Sequence, residues 1–365
     1  MHVSDPETGP GPDIRSLYYD EVSGLMEKKG YKRFRTDQLF GWLHKRLAQS
    51  FDEMGNLPGR LKEELSFDPG LLKVEKELVR VSEYDGTRKY LFRLFDGNLI
   101  ESVFMRYEHG NSVCISTQAG CGMGCSFCAS AIGGKNRDLA AGEMLGQVYG
   151  IIRDTGERVS NVVMMGTGEP LDNYDNSIRF IRLINDERGL NISQRNITLS
   201  TCGLLNGIRR LEREDLNITL AISLHAATDE KRRKLMPVSR GYRISELIDT
   251  CREYYQRTGR RLTFEYSLIE GFNDTDGDIA ALSGLLKGMN AHINLIPVNP
   301  VRERGYRQPG NERVRAFQNK LENNHFNVTI RRELGRDIDG ACGQLRRNYK
   351  RNGSCEGTEQ LQDKE

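Results

Sequence analysis

Cys121, Cys125 and Cys128 stand at CxxxCxxC spacing inside the run GCGMGCSFCAS. Three thiolates can each hold one iron of a four-iron cluster and leave the fourth iron without a protein ligand. Clusters that only pass electrons take four cysteines. An iron left open can bind a substrate or cofactor, so the spacing points to chemistry at the cluster rather than simple electron transfer. The competing chemistry is structural zinc, which is closed by four ligands, typically as two close pairs. Cys114 lies seven residues before Cys121, and no second pair follows the run. Phe127, just before the third cysteine, would set an aromatic face beside the site.

Such residues need a scaffold that brings distant segments to one place. From 111 onward, apolar strand-like runs alternate with helical stretches: SVCIS (112–116), NVVMMG (161–166), NITLSTC (196–202), ITLAISLH (218–225), RLTFEYSLI (261–269) and HINLIPV (292–298). Between 242 and 258, Ile244, Leu247, Ile248, Cys251, Tyr254 and Tyr255 trace one helical face. Repeated β/α units imply a parallel sheet. Six of them predict a partial (β/α)6 TIM-like barrel, with active residues at the carboxyl ends of the strands; an open doubly wound sheet is the alternative. A further short strand is expected in NVTIRREL (327–334). The motifs fall where barrel chemistry belongs. The cysteines follow the first strand and Gly166-Thr-Gly-Glu169-Pro170 the second. Ser200 ends the third, Ser223-Leu224-His225 the fourth, and Asn299 follows the sixth. A glycine-rich loop ending in Glu169 lets backbone approach a ligand, and the carboxylate can accept from an ammonium group.

The rest of the chain divides by composition. Residues 1–13 are polar with three prolines and read as disordered. Residues 14–77 read as a small N-terminal helical domain. Leu17, Val22, Leu25 and Met26 suggest one helix, Phe40, Trp42, Leu43 and Leu47 a second with Thr36 as its cap, and 57–65 a third. Lys28, Lys29, Lys32, Arg33, Arg35, Lys45 and Arg46 gather here among Tyr31, Phe34 and Trp42. That is either a solvated face or a phosphate-contacting patch of a nucleic-acid binder. Residues 78–110 alternate apolar and polar, with Asp85-Gly86 and Asp96-Gly97 as turns, and predict a β-hairpin extension. The barrel then spans 111–345, and 346–365 reads as a flexible tail. With 37% hydrophobic residues and net charge +2, the chain can build a large core, while global charge says little about partners. The first dozen residues contain no apolar h-region, and no run approaches a membrane span. Eight cysteines without a leader read as thiols or ligands, so the expected compartment is cytoplasmic, with no membrane partner.

Taken together, the cysteine run, GTGEP, LSTCG, SLHA and DIDGACGQL resemble the radical S-adenosylmethionine (SAM) enzymes. Within them the chain is similar to the RNA methyltransferases of the RlmN/Cfr family, from FRTDQLFGWL through ACGQL. The resemblance implies that Cys121, Cys125 and Cys128 hold a [4Fe–4S] cluster whose open iron SAM chelates. It implies that Gly168, Glu169, Ser200, Ser223, Leu224, His225 and Asn299 contact SAM. It makes Cys342 the methyl-carrying cysteine, Cys114 the resolving cysteine and Glu101 a proton acceptor. Without the resemblance, the two cysteines would read as buried structural thiols and Glu101 as a carboxylate on an exposed strand face. The family segment before the carrier cysteine often reads GDDIDAAC; here it is GRDIDGAC, which removes no reactive group. Cys202 stands where serine is common and is assigned no role.

The implied reaction uses two SAM molecules per turnover. One methylates Cys342; the other is cleaved by one electron to a 5′-deoxyadenosyl radical that takes hydrogen from the new methyl group. The methylene radical adds to C2 of adenosine in 23S rRNA and tRNA, an electron leaves, a base removes the C2 proton, and Cys114 attacks the Cys342 sulfur to release product. That leaves a transient disulfide bond for an outside reductant. A low-potential donor such as flavodoxin or ferredoxin supplies the electron. The chemical need is plain, since adenine C2 is electron-poor and has no nucleophilic lone pair for a polar methyl transfer. Two alternatives compete. A Cfr-like enzyme would methylate adenosine C8, but GEP at 168–170 favours C2, since that branch tends to read GEA. An RNA-binding protein with a structural Fe–S cluster would have no use for Cys342 and Cys114.

Overall fold

The computed structural model describes residues 13–301, 303–332, 334–338 and 343–349. Three helices lead the chain: α1 (Tyr19–Lys28), α2 (Arg33–His44) and α3 (Gly59–Phe67). Their apolar stripes, Val22 and Met26, then Leu39, Phe40 and Leu43, then Leu61 and Leu65, are buried in one core that continues into the barrel. Each such side chain contributes about 1.5–3 kcal/mol on burial. Thr36 does not cap α2. The helix begins earlier, behind Lys32, and Thr36 is buried within it with its hydroxyl unpartnered. The cap fails because residues 33–35 already belong to the helical turn that carries Thr36 inward.

Three antiparallel strands follow, β1 (Val74–Val81), β2 (Arg88–Leu94) and β3 (Leu99–Met105), turning at the two expected Asp-Gly sites. Next come β4 (Ser112–Cys114) and a two-stranded ribbon, β5 (Gln118–Gly120) with β6 (Lys135–Asp138), which sequence reasoning did not anticipate. The β/α repeat then runs α4 (Ala141–Thr155), β7 (Asn161–Met164), α5 (Tyr174–Asn185), β8 (Ile197–Thr201), α6 (Leu205–Leu211), β9 (Thr219–Ser223), α7 (Asp229–Leu235) and α8 (Ile244–Thr258). It closes with β10 (Leu262–Leu268), α9 (Asp276–Leu286), β11 (Ala291–Pro297), α10 (Asn311–Asn323) and β12 (Asn327–Ile330).

Ten strands form one sheet in the order β1-β2-β3-β4-β7-β8-β9-β10-β11-β12. Pairing is antiparallel up to β3–β4 and parallel from β4–β7 onward. The order is linear, so the sheet is an open arc: the expected partial barrel, widened by the hairpin strands at one edge and by β12 at the other. Central strands such as β8 bury alternate residues (Ile197, Leu199, Thr201), which fixes their register and points Ser200 to the opposite face.

Defined structure reaches past both expected ends. Asp13 is buried, and its carboxylate accepts from the Arg15 backbone N–H. At the other end residues 344–349 are helical, and Tyr349 donates to Glu77. Residues 1–12, Cys342 and 350–365 lie outside the described residues. Among the described residues no helix is long and apolar enough to cross a membrane.

Candidate active site at the carboxyl ends of the strands

The cysteine loop leaves the β5–β6 ribbon at Cys121, whose N–H donates to the Gly134 carbonyl at 3.0 Å. Its far side is tied to α7, because the Ser126 N–H donates to the Leu235 carbonyl at 2.8 Å. Burial pushes the Cys121 thiol up to about 11 and Cys125 higher still. Cys128 adds to both shifts, and Cys121 and Glu169 add to that of Cys125. Cys121 and Cys125, held neutral by burial and by their neighbours, will be thiolates only when a bound metal centre draws off their protons, since a coordinating thiol is deprotonated outright. This donor set fits an iron–sulfur cluster. Among the described residues no three His, Cys, Asp or Glu side chains gather closely enough to hold one metal ion. A cubane asks for something else, one thiolate at each of three corners.

Beside the loop, β7 runs into Gly166-Thr-Gly-Glu-Pro. Gly168 has φ +116°, and a Cβ there would stand 2.7 Å from Gln118 Cβ and from Thr117 Oγ1, so only glycine fits this cradle. Glu169 is buried. Its N–H donates to Gln118 Oε1 (2.9 Å), and its carboxylate accepts from the backbone N–H groups of Leu171 (3.0 Å) and Cys202 (2.7 Å). Burial raises its pKa against those hydrogen bonds. Ser200 and Ser223, on neighbouring strands, are half-buried with hydroxyls 3.4 Å apart. Leu224 is fully buried. His225 has φ +57°, accepts at Nδ1 from the Ser267 N–H (3.1 Å), and meets Phe127 edge-on with ring centroids 4.9 Å apart. Burial, then the charge of Arg232, lowers its pKa to about 3, so the imidazole is neutral with its proton on Nε2. Asn299 follows β11, half-buried, with no hydrogen bond from its side chain to a described residue. His225 meets the cysteine loop at Phe127 and the Glu169 charge acts on Cys121 and Cys125, and these polar groups at the strand ends fit a small amphiphilic cofactor with an ammonium group.

The third part lies across the hairpin strands. In register, Leu91 faces Glu101, Lys89 faces Val103, and Val103 faces Cys114, so Lys89, Glu101 and Cys114 share one sheet face. Glu101 is buried, not exposed as its isolated reading implied. Lys89 Nζ stands 3.1 Å from its carboxylate, which also accepts from the N–H groups of Gly343 and Arg346, each at 2.6 Å. The C-terminal segment is laid over this face. Leu334 packs with Val103, Met105 and Cys114, and Leu345 with Leu91 and Leu99. Asp85 accepts from the Gly335 N–H at 2.9 Å, and Asp337 from Ser82 Oγ at 2.7 Å. Gly343 has φ +79°, and a Cβ there would lie 2.6 Å from the Ser130 nitrogen, two residues past Cys128. The chain next to Cys342 is thus wedged between Glu101 and the end of the cysteine loop. The Ser116 hydroxyl links the parts, donating to the Glu101 carbonyl (2.7 Å) and accepting from the Thr167 N–H (3.0 Å). No disulfide joins any two of Cys114, Cys121, Cys125, Cys128, Cys202 and Cys251, the cysteines among the described residues.

Sequence reasoning missed Gln118, Lys89, Arg232 and the backbone of Cys202. Lys89 sits on a strand with no motif around it, Gln118 precedes the cysteine run without belonging to it, and Arg232 lies in a run of cations that reads as a solvated helix.

An open parallel arc with three cysteines after its first parallel strand defines the class of radical SAM proteins, and the model of the Radical SAM superfamily matches residues 115–282. The Ribosomal RNA large subunit methyltransferase N-terminal domain matches 13–68. A probable dual-specificity RNA methyltransferase RlmN of Lachnospira eligens is 59% identical over 337 residues, covering 92% of this chain and 96% of its own. A namesake in Symbiobacterium thermophilum is 50% identical, covering 96% of each. The crystal structure of a radical SAM methyltransferase from Sphaerobacter thermophilus superposes with TM-score 0.88 at 41% identity, over 91% of this chain and 98% of that one. The chain belongs to the RlmN family of radical SAM enzymes.

Proposed function

We propose that this protein methylates C2 of adenosine in 23S rRNA and tRNA, with Cys342 as methyl carrier, Cys114 as resolving thiol and Glu101 as base. It is a SAM-dependent RNA methyltransferase of the RlmN family, and its cofactors are a [4Fe–4S] cluster and SAM. When bound, they supply the methyl group and the one-electron chemistry that an electron-poor aromatic carbon requires.

Cys121, Cys125 and Cys128 are assigned to the cluster. Gly168, Glu169, Ser200, Ser223, Leu224, His225 and Asn299 are assigned to SAM, with Glu169 as acceptor for its ammonium group. Glu101 has two tasks in this reading. It anchors the carrier segment through Gly343 and Arg346, and when that segment shifts its carboxylate becomes free to take a proton. Cys114 waits on the same sheet face for the carrier sulfur, and the disulfide they form is transient. Residues 14–77 are assigned to RNA contact, 78–110 to docking the carrier segment, and 111–345 to the cofactors. The electron donor is assigned to the flavodoxin or ferredoxin class, and the setting to the cytoplasm.

The observation that carries this reading is the position of Gly343, in contact with both Glu101 and the residues just after Cys128. The test is to methylate 23S rRNA fragments and tRNA with the cluster-loaded enzyme and map the product by mass spectrometry. Methyl at C2 is expected. Methyl at C8, or none, overturns the assignment.

A further inference from the structure

Arg232 is a buried cation without a counter-ion among the described residues. It sits on α7 at 0% exposure, between Lys231, which pairs with Asp278, and the exposed Arg233. Its Nε donates to the Leu224 carbonyl (3.3 Å) and its Nη2 to the Cys202 carbonyl (2.8 Å), while Nη1 has no partner. Its guanidinium carbon lies 5.6 Å from the Tyr242 ring centroid, and the Tyr242 hydroxyl turns its hydrogen to the Cys202 carbonyl (3.4 Å). Among the described residues no carboxylate stands within ion-pair distance of it. Carbonyl dipoles and a ring face leave most of the cost of burying a full charge unanswered.

The helix that carries this charge is docked on the cysteine loop. Leu235, one turn on from Arg232, accepts from Ser126 between two of the cysteines. Leu235, Met236 and Cys202 pack with Met123, Cys125 and Phe127. Arg232 reaches that loop through Cys202, whose carbonyl it holds at 2.8 Å and which packs in one cluster with Cys125 and Phe127. A four-iron, four-sulfide core on three thiolates carries net negative charge, and carries more after taking up an electron.

We propose that Arg232 is the built-in counter-charge of the cluster held by Cys121, Cys125 and Cys128, and that it raises the cluster's reduction potential and its retention. Arg232 is a positioning and tuning residue: it ligates no iron, and its charge favours the reduced, more anionic state of the centre. The inference rests on the assignment of the three cysteines as cluster ligands.

The test uses full-length protein, anaerobically reconstituted, without SAM or RNA. Wild type, Arg232→Met and Arg232→Lys are titrated with dithionite under potentiometric control, with the reduced cluster followed by electron paramagnetic resonance. The midpoint of Arg232→Met is expected below that of wild type, with Arg232→Lys nearer to wild type. A cluster-replete Arg232→Met with an unchanged midpoint overturns the proposal. Melting of apo and loaded protein covers the case of lost cluster. Arg232→Met is expected to leave the apo protein as stable or more stable and to shrink the gain on loading; loss of the cluster from a folded apo protein has the same meaning. Equal destabilisation of both forms, or failure to fold, makes Arg232 purely structural and overturns the proposal. Failure of wild type to hold four irons would instead defeat the functional assignment beneath it.

Discussion

The cofactor end of the barrel and the hairpin face that receives the C-terminal segment are built on opposite plans. At the cofactor end Glu169, Ser200, Ser223 and His225 are each held from their own segment or from the neighbouring strand. Glu169 is pinned by Leu171 two residues on and by Cys202 one strand over, and Ser200 meets Ser223 on the neighbouring strand. On the hairpin face one buried ion pair grips backbone donors 242 and 245 residues away. The first plan gives a rigid cradle that tolerates little motion. The second gives a clasp whose grip depends on a few charge-assisted bonds, which suits a segment that must deliver a reactive group and withdraw.

The largest effects should separate the two plans outright. Cys125→Ala breaks the cofactor end: iron and sulfide analysis should find the cluster lost, and methylation should fall to background. Cys342→Ala should equally abolish methylation yet keep the cluster's colour and iron content. A brown, iron-replete Cys125→Ala protein, or methyl transfer by Cys342→Ala, would contradict the separation. Next comes the clasp itself. Lys89 is fully buried against Glu101, and removing one partner of a buried pair costs about 3–5 kcal/mol because the other charge is left uncompensated. Lys89→Met should therefore lower stability by about that amount in urea titration. Lys89→Met/Glu101→Leu should recover part of the loss, since contacting residues are not additive. Purely additive losses would mean that the pair is not what holds the segment.

The same contrast explains what could be read in advance. The cysteine loop, Gly168-Glu169 and the Ser223–His225 run lie next to strand ends in sequence, so β/α alternation alone gathers them. The clasp has no such local signal. Glu101 reads as an exposed strand carboxylate until Lys89 is seen on the next strand and Gly343 at the far end of the chain. Arg232 cannot be told from Arg233 beside it by composition, because only the docking of α7 onto the cysteine loop decides which is buried. Thr36 looked like a cap because a hydroxyl precedes an apolar run, but the helix had already begun at Arg33 and the hydroxyl faces the core.

Where the helical domain meets the barrel, the comparison can be sharpened by pH. His44 is buried with Nδ1 2.9 Å from the Tyr149 hydroxyl, and its Nε2 has no partner. Burial, then the charge of Arg15, holds its pKa down at about 3. Its unfolded pKa is about 6.5, so above that pH the group adds no pH dependence. Below it the unfolded chain takes up a proton that the folded chain refuses. Stability should then fall by up to about 1.4 kcal/mol per pH unit as the pH drops toward the folded value. Denaturant titrations should show this decline, and His44→Leu should flatten it. An unchanged slope would assign the acid sensitivity elsewhere.

The smallest effect per residue is expected on the outer surface of the helical domain, where neither plan applies. Lys28, Lys32, Arg33, Lys45 and Arg46 are exposed, and none has an acidic partner within ion-pair distance among the described residues. Phe34 is 49% exposed under the Arg35 guanidinium, and Arg46 lies over Trp42. Cations without acidic partners beside exposed aromatic faces suit phosphates and unstacked bases. Each phosphate that is no longer neutralised should reduce the slope of log affinity against log salt by about 0.7–0.9. Lys32→Ala/Arg33→Ala/Lys45→Ala/Arg46→Ala should therefore weaken RNA binding most at low salt while leaving cluster content and the midpoint potential untouched. If the salt slope stays that of wild type, these residues form an ordinary solvated face, and RNA is held at the barrel mouth alone.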